Sequence, residues 1–478
     1  MLLNKNINSR ILFAIFFIVV IHFGKAQLTT NSPYSRFGLG ELTNNGFASN
    51  MAMGNVSAAF SNDTLAPLFI NTGNPASFST LRITSFEAGL RSAFNEFATS
   101  SAKTQSTNLG LNYLALGFPI GKKAGACVSF QPWSQVGYSV SNNKEIANIG
   151  EVKELYEGDG GLNKLSAGLG IRPFEGAMKR YLRSSKWKTA RDSGNFIEIR
   201  KKKFQKRLAE SWSIGANASY LFGTIENTSK LYFPAGSGIY NTKVYQQTFV
   251  RDFTATVGTQ FTLTVDSLRK RDLKRDVRIV FGYAHTLGNS VSAEYSNIAT
   301  RFVMASFNRE ITRDTIQFVS DADGKIQLPA FHTFGICIKK GDVLSVFAEG
   351  EIQQWSRFKF LSETGLFNDA LRISAGVQWL PKRMAVGDWA YFKKIHYRAG
   401  FRYQNGYLNV NNNRIDDKAV SFGLGLPVGK FKMLTVVNLS AEVGQLGVTG
   451  NSLVQQKYIR VTAGFTFNDR WFIKTKYD

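Results

Sequence analysis

Apolar and polar residues alternate strictly over stretches of this chain, and this alternation limits its fold more than any other feature. The segment Tyr458–Asn468 (YIRVTAGFTFN) shows it most clearly. One side of this segment carries Ile459, Val461, Ala463, Phe465 and Phe467. Because successive residues of a β-strand point to opposite faces, the segment predicts a strand with one apolar and one polar face. A soluble β-sandwich and a membrane β-barrel would both give this pattern.

Residues 1–26 have the organisation of an export signal. Lys5 and Arg10 lie in a basic start, Ile11–Phe23 form the apolar run, and Gly24 and Ala26 supply the small residues that signal peptidase requires. The alternative is an N-terminal membrane anchor, for which this apolar run is short. We therefore predict cleavage near Ala26. Because no long apolar run follows, we expect an exported β protein that has no transmembrane helix.

Composition and charge agree with a barrel and narrow the range of partners. The chain has 43 Gly, 39 Phe and 17 Tyr against 10 Pro, a balance typical of barrels, whose strands bend at glycine and whose aromatics gather at the membrane interfaces. The net charge of +24 would suggest nucleic acid in a cytosolic protein. Export excludes nucleic acid as a partner. The partners that remain for a basic exported protein are the lipid headgroups and lipopolysaccharide phosphates of the outer membrane, or an acidic envelope protein.

Alternation and turn signals predict fourteen strands. They are Ile83–Phe97, Asn108–Phe118, Ala126–Tyr138, Leu162–Ile171, Trp212–Phe222, Phe249–Val265, Val277–Arg301, Leu328–Ile338, Val343–Phe358, Ala370–Leu380, Ile395–Gln404, Lys418–Val428, Leu434–Gln445 and Tyr458–Asn468. An even number places both chain ends in the periplasm, as in bacterial single-chain barrels. We therefore predict an all-β fold, a 14-stranded antiparallel transmembrane β-barrel over residues 82–478. Residues 27–81 precede it and lack barrel-like alternation.

One predicted periplasmic connection is far too long and too basic for a turn. Residues 178–207 hold twelve Lys and Arg against two acidic residues. The candidates for binding a partner in this insert are Arg200, Lys201, Lys202, Lys203, Lys206 and Arg207. A dense charge run of one sign favours an acidic partner, and a solvated lobe without a partner is the alternative. A milder mixed-charge connection covers Ser267–Asp276.

Three motifs resemble the FadL-like family of outer-membrane barrels in its Bacteroidota form. They are the start SPYSRFGLGEL (Ser32–Leu42), the signature Asn74, Pro75 and Ala76, and the end NDRWFIKTKYD (Asn468–Asp478). The resemblance implies that residues 27–81 fold into the lumen as a hatch. It also implies one of two roles: passive transport of hydrophobic compounds, or service as an accessory barrel in protein secretion or outer-membrane assembly.

Charged residues also occur on the strand faces opposite the predicted lipid-facing side. They are Glu349, Glu351, His396, Arg398 and Arg402. Charges are tolerated there only if the barrel interior is polar. We expect these side chains to hold the hatch through hydrogen bonds and ion pairs, with ligand contact as the alternative.

The sequence offers little for catalysis or cofactor binding. The histidines after residue 26 are isolated on predicted strands, and no Cys or His spacing matches a metal site. Cys127 and Cys337 lie on strands predicted to be far apart, so no disulfide is expected. We therefore predict a non-enzymatic protein without a cofactor, metal site or catalytic residues.

Two functional hypotheses remain, of which we take transport as the prediction and the accessory role as the alternative. A transporter of hydrophobic small molecules or lipids needs an apolar pocket between hatch and wall, and a kink or gap in a strand that opens sideways. An accessory or scaffold subunit of an outer-membrane assembly or secretion complex would instead dock other envelope proteins through the basic insert.

Overall fold

The structure is a computed structural model that describes most of the chain after the predicted signal. It describes residues 32–471 except 44–45, 63–68, 177–182, 184–204, 207, 235, 266–276, 306, 308, 362–366, 384, 388, 429–434, 451–452 and 470. The predicted signal peptide (residues 1–26), nearly all of the basic insert, the connection 267–276 and residues 472–478 lie outside the described residues.

Fourteen antiparallel strands form one closed barrel, as the alternation predicts. In chain order the strands are β1 (Thr84–Ala98), β2 (Lys103–Ile120), β3 (Ala124–Pro132 and Ser134–Ile146), β4 (Gly150–Ile171), β5 (Trp212–Tyr232), β6 (Asn241–Val265), β7 (Val277–Thr286 and Ser290–Ala305), β8 (Arg309–Gln327 and Phe331–Lys340), β9 (Leu344–Gln353, with Lys359–Phe360), β10 (Ala370–Trp379), β11 (His396–Gln404), β12 (Asp417–Val428), β13 (Thr435–Leu446) and β14 (Gln455–Asp469). β14 pairs with β1 from Thr84↔Asp469 to Ala98↔Gln455, and this pairing removes the sheet edges.

β3, β7 and β8 are each broken once, and the break in β3 leaves part of a strand edge without a strand partner. The first half of β3 pairs with β2 only over Leu114–Ile120. After Trp133 the strand turns away from β2, and a two-residue strand, Glu41–Leu42, pairs with its edge at Ser134 and Gln135. Among the described residues, nothing pairs in a ladder with Lys103–Tyr113 of β2 on this side. The barrel wall therefore has a lateral gap between β2 and β3.

The end of the barrel where β1 begins and β14 finishes, which we call the terminal end, has both short and long connections between strands. Residues 121–123 and 341–343 are tight turns, as expected. The connection between β10 and β11 is also long, and it contains the short helix α2 (Ala390–Lys393). The predicted strands Ala370–Leu380 and Ile395–Gln404 already leave a long connection here, but they do not predict its helix. At the opposite, far end, β3 to β8 extend well past their neighbours.

The barrel wall is apolar outside and polar inside. Outward residues such as Phe94, Phe253, Phe334, Phe422 and Phe465 are exposed on the closed sheet. An exposed apolar belt of this size around a barrel is the architecture of an outer-membrane protein. Within the described residues, no helix is long and apolar enough to cross a membrane.

The N-terminal segment spans residues 32–81, and its described residues, 32–43, 46–62 and 69–81, lie inside the barrel and fill much of the lumen. They contain the 3-10 helices Pro33–Arg36 and Pro75–Thr80 and the short helix α1 (Ala48–Met51), and most of their side chains are buried. Their backbone passes so close to the wall that a Cβ at Gly400 would meet the main chain of Met53 and Gly54. Glycine at this position permits the close approach.

Apolar side chains from the N-terminal segment and from several strands fill the lumen nearer the far end. The buried members of this cluster are Leu39, Trp133, Val136, Tyr138, Leu162, Leu221, Ile225, Val250, Val291, Ala293, Ile326, Leu328, Trp355, Phe358 and Ala370. Aromatic rings reinforce it, with Trp355 stacked on Tyr407 at 4.3 Å between ring centroids. The lumen is therefore packed like a protein core at this level.

Candidate functional site

The Asn74-Pro75-Ala76 motif ties the N-terminal segment to itself and to the wall. The Asn74 side chain accepts a hydrogen bond from Ala76 N and caps the 3-10 helix that starts at Pro75. Its Nδ2 donates to the Ala58 carbonyl at 2.7 Å and lies within 3.2 Å of the Thr259 carbonyl on β6. A single amide side chain therefore fixes a loop, a helix start and a strand together.

Two predicted lumen carboxylates meet on β9 and hold the N-terminal backbone. Glu349 Oε2 accepts hydrogen bonds from Ser57 N and Ala58 N, both at 2.7 Å. Arg372 of β10 donates to Glu351 at 2.9 Å and reaches Glu349 at 3.4 Å. Because all of these side chains are buried, each charge depends on the others for its stabilisation.

Arg402 belongs to a second network nearer the far end. Its guanidinium donates to Asp417 at 2.6 Å, and to Glu442 and the Tyr458 hydroxyl at 3.1 Å each. Tyr458 in turn donates to Asp417 at 2.6 Å. Arg402, Glu442 and Tyr458 are buried and Asp417 is half-buried, and the network links β11, β12, β13 and β14.

Arg460 extends this network to the N-terminal segment. It donates to Glu41 at 2.6 Å and lies 3.8 Å from the centroid of the Tyr458 ring. Glu41 belongs to the two-residue strand that pairs with the free edge of β3. The same short strand is therefore held by an ion pair to β14 and by a ladder to β3.

His396 and Arg398 lie in a third place, nearer the terminal end. Arg398 donates to Asn438 at 2.7 Å and to Gln378 at 2.8 Å. Arg398 and His396 both contact Phe69 of the N-terminal segment. The Arg398 guanidinium lies 5.2 Å from the centroid of the Phe69 ring, and the His396 ring meets the Phe69 ring edge-on, with 5.8 Å between centroids. The structure therefore brings Glu349 and Glu351 together, and separates them from Arg402 and from the His396–Arg398 pair.

Sequence reasoning missed the partners that complete these networks. They are Glu41, Glu87, Arg372, Asp417, Glu442, Tyr458 and Arg460. Glu87, for example, is buried in β1 and accepts a hydrogen bond from Ile70 N at 2.6 Å. The alternation of the strands could have shown which of these side chains point inward, but no local pattern pairs residues as distant as Glu41 and Arg460.

A cavity of about 190 Å³ lies between the N-terminal segment and the wall. Its lining is rich in charged groups, including Lys164, Arg372, Arg402, Glu351 and Asp417. Two tyrosines outside the barrel strands also line it. Burial raises the pKa of both Tyr34 and Tyr407, so their hydroxyls stay protonated at neutral pH. Tyr34 donates to the Val454 carbonyl at 2.7 Å.

The described residues hold little of the predicted docking site. Lys206 is exposed beside a short helical stretch, whereas Arg200, Lys201, Lys202, Lys203 and Arg207 lie outside the described residues. Within the described part of the chain, no group of three or more His, Cys, Asp or Glu residues could hold a metal. Cys127 and Cys337 are buried free thiols.

Solved structures share the fold at low sequence identity. The toluene transporter TbuX of Ralstonia pickettii is 13% identical, with a TM-score of 0.50 over 89% of this chain and 98% of TbuX. The toluene transporter TodX of Pseudomonas putida is 12% identical, with a TM-score of 0.51 over 91% of this chain and all of TodX. This likeness establishes a common fold. No curated protein matches the sequence significantly.

One protein-family model covers nearly the whole sequence. The BamG model matches residues 7–178 and 203–478, and so includes both the N-terminal segment and all fourteen strands. It leaves out residues 179–202, most of the basic insert. The chain belongs to the BamG family.

Proposed function

We propose that this protein is a non-enzymatic accessory subunit of an outer-membrane protein assembly or secretion complex, in which the barrel serves as a sealed scaffold. The observation that carries the proposal is the way the lumen is filled. The N-terminal residues 32–81 are bound to the wall by buried charges, and an apolar cluster packs the lumen nearer the far end.

The binding of the N-terminal segment is distributed over many strands. Glu349 on β9, Arg460 on β14 and Asn74 against β6 each supply a separate attachment. Removing one partner of a buried ion pair costs about 3–5 kcal/mol, so release of the whole segment would require several such losses together. A scaffold needs no such release, whereas a channel through the lumen does.

The chemistry of the cavity also favours a scaffold. A carrier for hydrophobic molecules requires a mostly apolar pocket with few polar groups. The space between the N-terminal segment and the wall has apolar lining residues such as Trp133 and Phe331, but it also exposes lysine, arginine and carboxylate side chains. Placing an apolar ligand there would strip water from charged groups without replacing their hydrogen bonds.

We assign the remaining parts of the chain as follows. Residues 1–26 are a signal peptide cleaved near Ala26, residues 27–81 are the hatch, and residues 82–478 are the barrel, set in a Gram-negative outer membrane among phospholipid and lipopolysaccharide. The insert 178–207 lies on the periplasmic side and docks other envelope proteins through Arg200–Lys203, Lys206 and Arg207. Because the family model skips most of the insert, docking there is an addition by this chain to the shared body.

Native pull-down from membranes tests this proposal. The tagged protein, solubilised in mild detergent, is expected to retain other envelope proteins. Changing Arg200, Lys201, Lys202 and Lys203 together to Glu should release them, because like charges across an interface repel. A matched control reverses Lys122 and Lys123, which are exposed in a tight turn at the same end of the barrel.

Two outcomes would contradict the proposal. If the wild-type protein is recovered alone under conditions that preserve known envelope complexes, the accessory role is wrong. If partners are retained by both charge-reversed variants, the insert is not the docking surface.

A second candidate is passive transport of hydrophobic small molecules or lipids. The lateral gap beside β2 favours it, because a ligand could leave the lumen sideways into the membrane. The solved barrels that share the fold are described as toluene transporters. Uptake of radiolabelled toluene by cells with and without the protein distinguishes the candidates: equal uptake removes transport, and faster uptake with the protein supports it.

A further inference from the structure

We propose that the connection between β10 and β11, residues 380–395, binds anionic phospholipid headgroups at the membrane surface of the terminal end. We call residues 380–395 the aromatic foot. Its sequence, LPKRMAVGDWAYFKKI, combines aromatic and cationic residues. This proposal depends on the barrel lying in a membrane, and is independent of either candidate function.

The aromatic foot folds back on the outer wall of the barrel. The Tyr397 hydroxyl, on the outward face of β11, donates to the Phe392 carbonyl at 3.1 Å. The foot is closed on itself by Lys382 N, which donates to the Lys393 carbonyl at 2.8 Å. Helix α2 is therefore fixed beside the lipid-facing surface.

Large apolar side chains of the foot are exposed to an unusual degree. Val386 is 94% exposed, Trp389 73% and Phe392 52%. Neighbouring Ala385 and Ile395 are buried, so the foot is a folded element with one side packed and one side open. Exposed apolar groups clustered in this way mark an interaction surface.

The foot lies at the level where aromatic residues surround the terminal end of the barrel. Trp379 and Tyr397 pair across β10 and β11 at 5.5 Å between ring centroids, directly beside the foot. Trp212 stacks on Phe174 at 5.8 Å elsewhere on this rim. Trp and Tyr gather at the boundary between hydrocarbon and headgroups, so α2 is continuous with the lipid interface.

The charge of the foot complements an anionic headgroup layer. Lys382 and Lys393 are exposed and Lys394 is half-buried. A short element that inserts aromatic rings and presents lysines to phosphate is the arrangement by which interfacial helices bind anionic membranes. The outward position and the basic charge together favour lipid over a protein partner.

Fluorescence quenching in nanodiscs tests where Trp389 lies. Full-length protein is placed in nanodiscs of phosphatidylcholine with phosphatidylglycerol, one of the two lipids carrying bromine near the headgroup end of its acyl chains. The proposal expects that Trp389→Phe removes a fraction of the emission that brominated lipid quenches and that aqueous iodide does not. The substitution keeps an aromatic ring, and a heat-modifiability gel confirms that the variant is folded.

A charge variant tests the choice of headgroup. With Lys382, Lys393 and Lys394 all changed to Glu, the preference of Trp389 for quenching by brominated phosphatidylglycerol over brominated phosphatidylcholine should fall by about two-fold or more. Lys122→Glu with Lys123→Glu is the matched control at the same end and should retain the preference. The emission of the other tryptophans is measured on the Trp389→Phe form of each variant and subtracted from the total emission.

Three results would overturn the proposal. Quenching of Trp389 by iodide and not by bromolipid would place the foot in water. Equal quenching by both brominated lipids in the wild type would remove the anionic preference. A protein that co-purifies with the wild type and is lost from Trp389→Ser, while bromolipid quenching is absent, would make the foot a protein-docking surface.

Discussion

Glu349 shows how a barrel wall can hold a non-strand segment with single residues. Its carboxylate accepts two backbone N–H groups from Ser57 and Ala58, donors that would otherwise be buried without partners. Arg372 compensates its charge from the neighbouring strand. Gly400 contributes in a different way: because glycine has no side chain, the backbone of the N-terminal segment lies directly against the wall there.

Replacing Glu349 with Gln should weaken the attachment of the N-terminal segment. Gln has one acceptor oxygen in place of two and carries no charge for Arg372, so we expect the free energy of unfolding to fall by about 1–3 kcal/mol. The stability is measured by heating samples to increasing temperatures and recording, on a gel, the temperature at which the folded form of the barrel is lost. Glu294→Gln, in the exposed pair with Arg251, is the control and should change stability by about 1 kcal/mol or less. Equal effects of the two variants would contradict a special role for Glu349.

Replacing Gly400 with Ala should displace the N-terminal segment while leaving the barrel closed. The added methyl group would meet the main chain of Met53 and Gly54, which cannot move without breaking neighbouring contacts. Limited proteolysis should then cut within residues 32–81 at least several-fold faster than in the wild type. Gly350→Ala, where nothing lies within 4 Å, is the control. Unchanged proteolysis of Gly400→Ala would show that the segment can shift without cost.

At the scale of the elements, the strands are the part of the fold that the sequence predicted best. β14 covers Gln455–Asp469 against a predicted Tyr458–Asn468, and its outward face carries the expected Ile459, Val461 and Phe465. Most strands run longer than predicted because alternation fades where both faces reach water. β4 is an example: it begins at Gly150, whereas the sequence pattern starts only at Leu162.

Breaks and non-strand elements were harder to predict. Nothing in the pattern of β3 shows that the strand leaves β2 at Trp133, because that choice depends on Glu41–Leu42 pairing with the freed edge. Helix α2 was likewise missed, since its four residues are too few for a helical period to stand out.

Placing a charge on the outward face of β14 tests the topology of the barrel. Phe465→Arg should reduce the folded, membrane-inserted fraction, because Arg on the lipid face of a barrel is destabilising by up to about 2–4 kcal/mol, with the largest cost at the bilayer midplane. The fraction of heat-modifiable protein in the outer membrane measures this. Phe465→Leu preserves an apolar side chain and should assemble normally. Normal assembly of Phe465→Arg would mean that this face does not contact lipid.

At the scale of the whole molecule, the N-terminal segment and the apolar cluster together make the barrel a filled cylinder. The three buried networks join strands β9 to β14 to one another, and the Arg402 network alone links four of these strands. Removing the segment would expose a ring of charged side chains to a water-filled lumen.

Deleting residues 32–81 should therefore convert the protein into an open pore. Wide barrels without an internal plug leave an aqueous channel, and the β1–β14 pairing that closes the sheet does not involve these residues. Planar-bilayer recording should show steady ion conductance for the deletion variant and none for the full chain. A full chain that already conducts steadily would contradict the sealed lumen, and a folded deletion variant without conductance would show that the wall collapses.

The class of fold, the number of strands and the polar face of each strand could all be predicted from the amino-acid sequence alone. These features follow from local periodicity, because the two-residue repeat of a strand can be seen in residues that are adjacent in sequence. It also identified Glu349, Glu351, His396, Arg398 and Arg402 as inward charges, since polar groups on the inner face stand out against an apolar outer face.

Which of these charged side chains contact one another, and which parts of the N-terminal segment they bind, depends on the tertiary structure. Glu41 lies against Arg460, and Ser57 against Glu349, because barrel closure and the inward path of the N-terminal segment bring distant parts of the chain together. No local pattern encodes such a contact. The Arg402 network is separate from the His396–Arg398 pair because Arg402 lies four residues beyond Arg398 on β11, about 13 Å further along the strand.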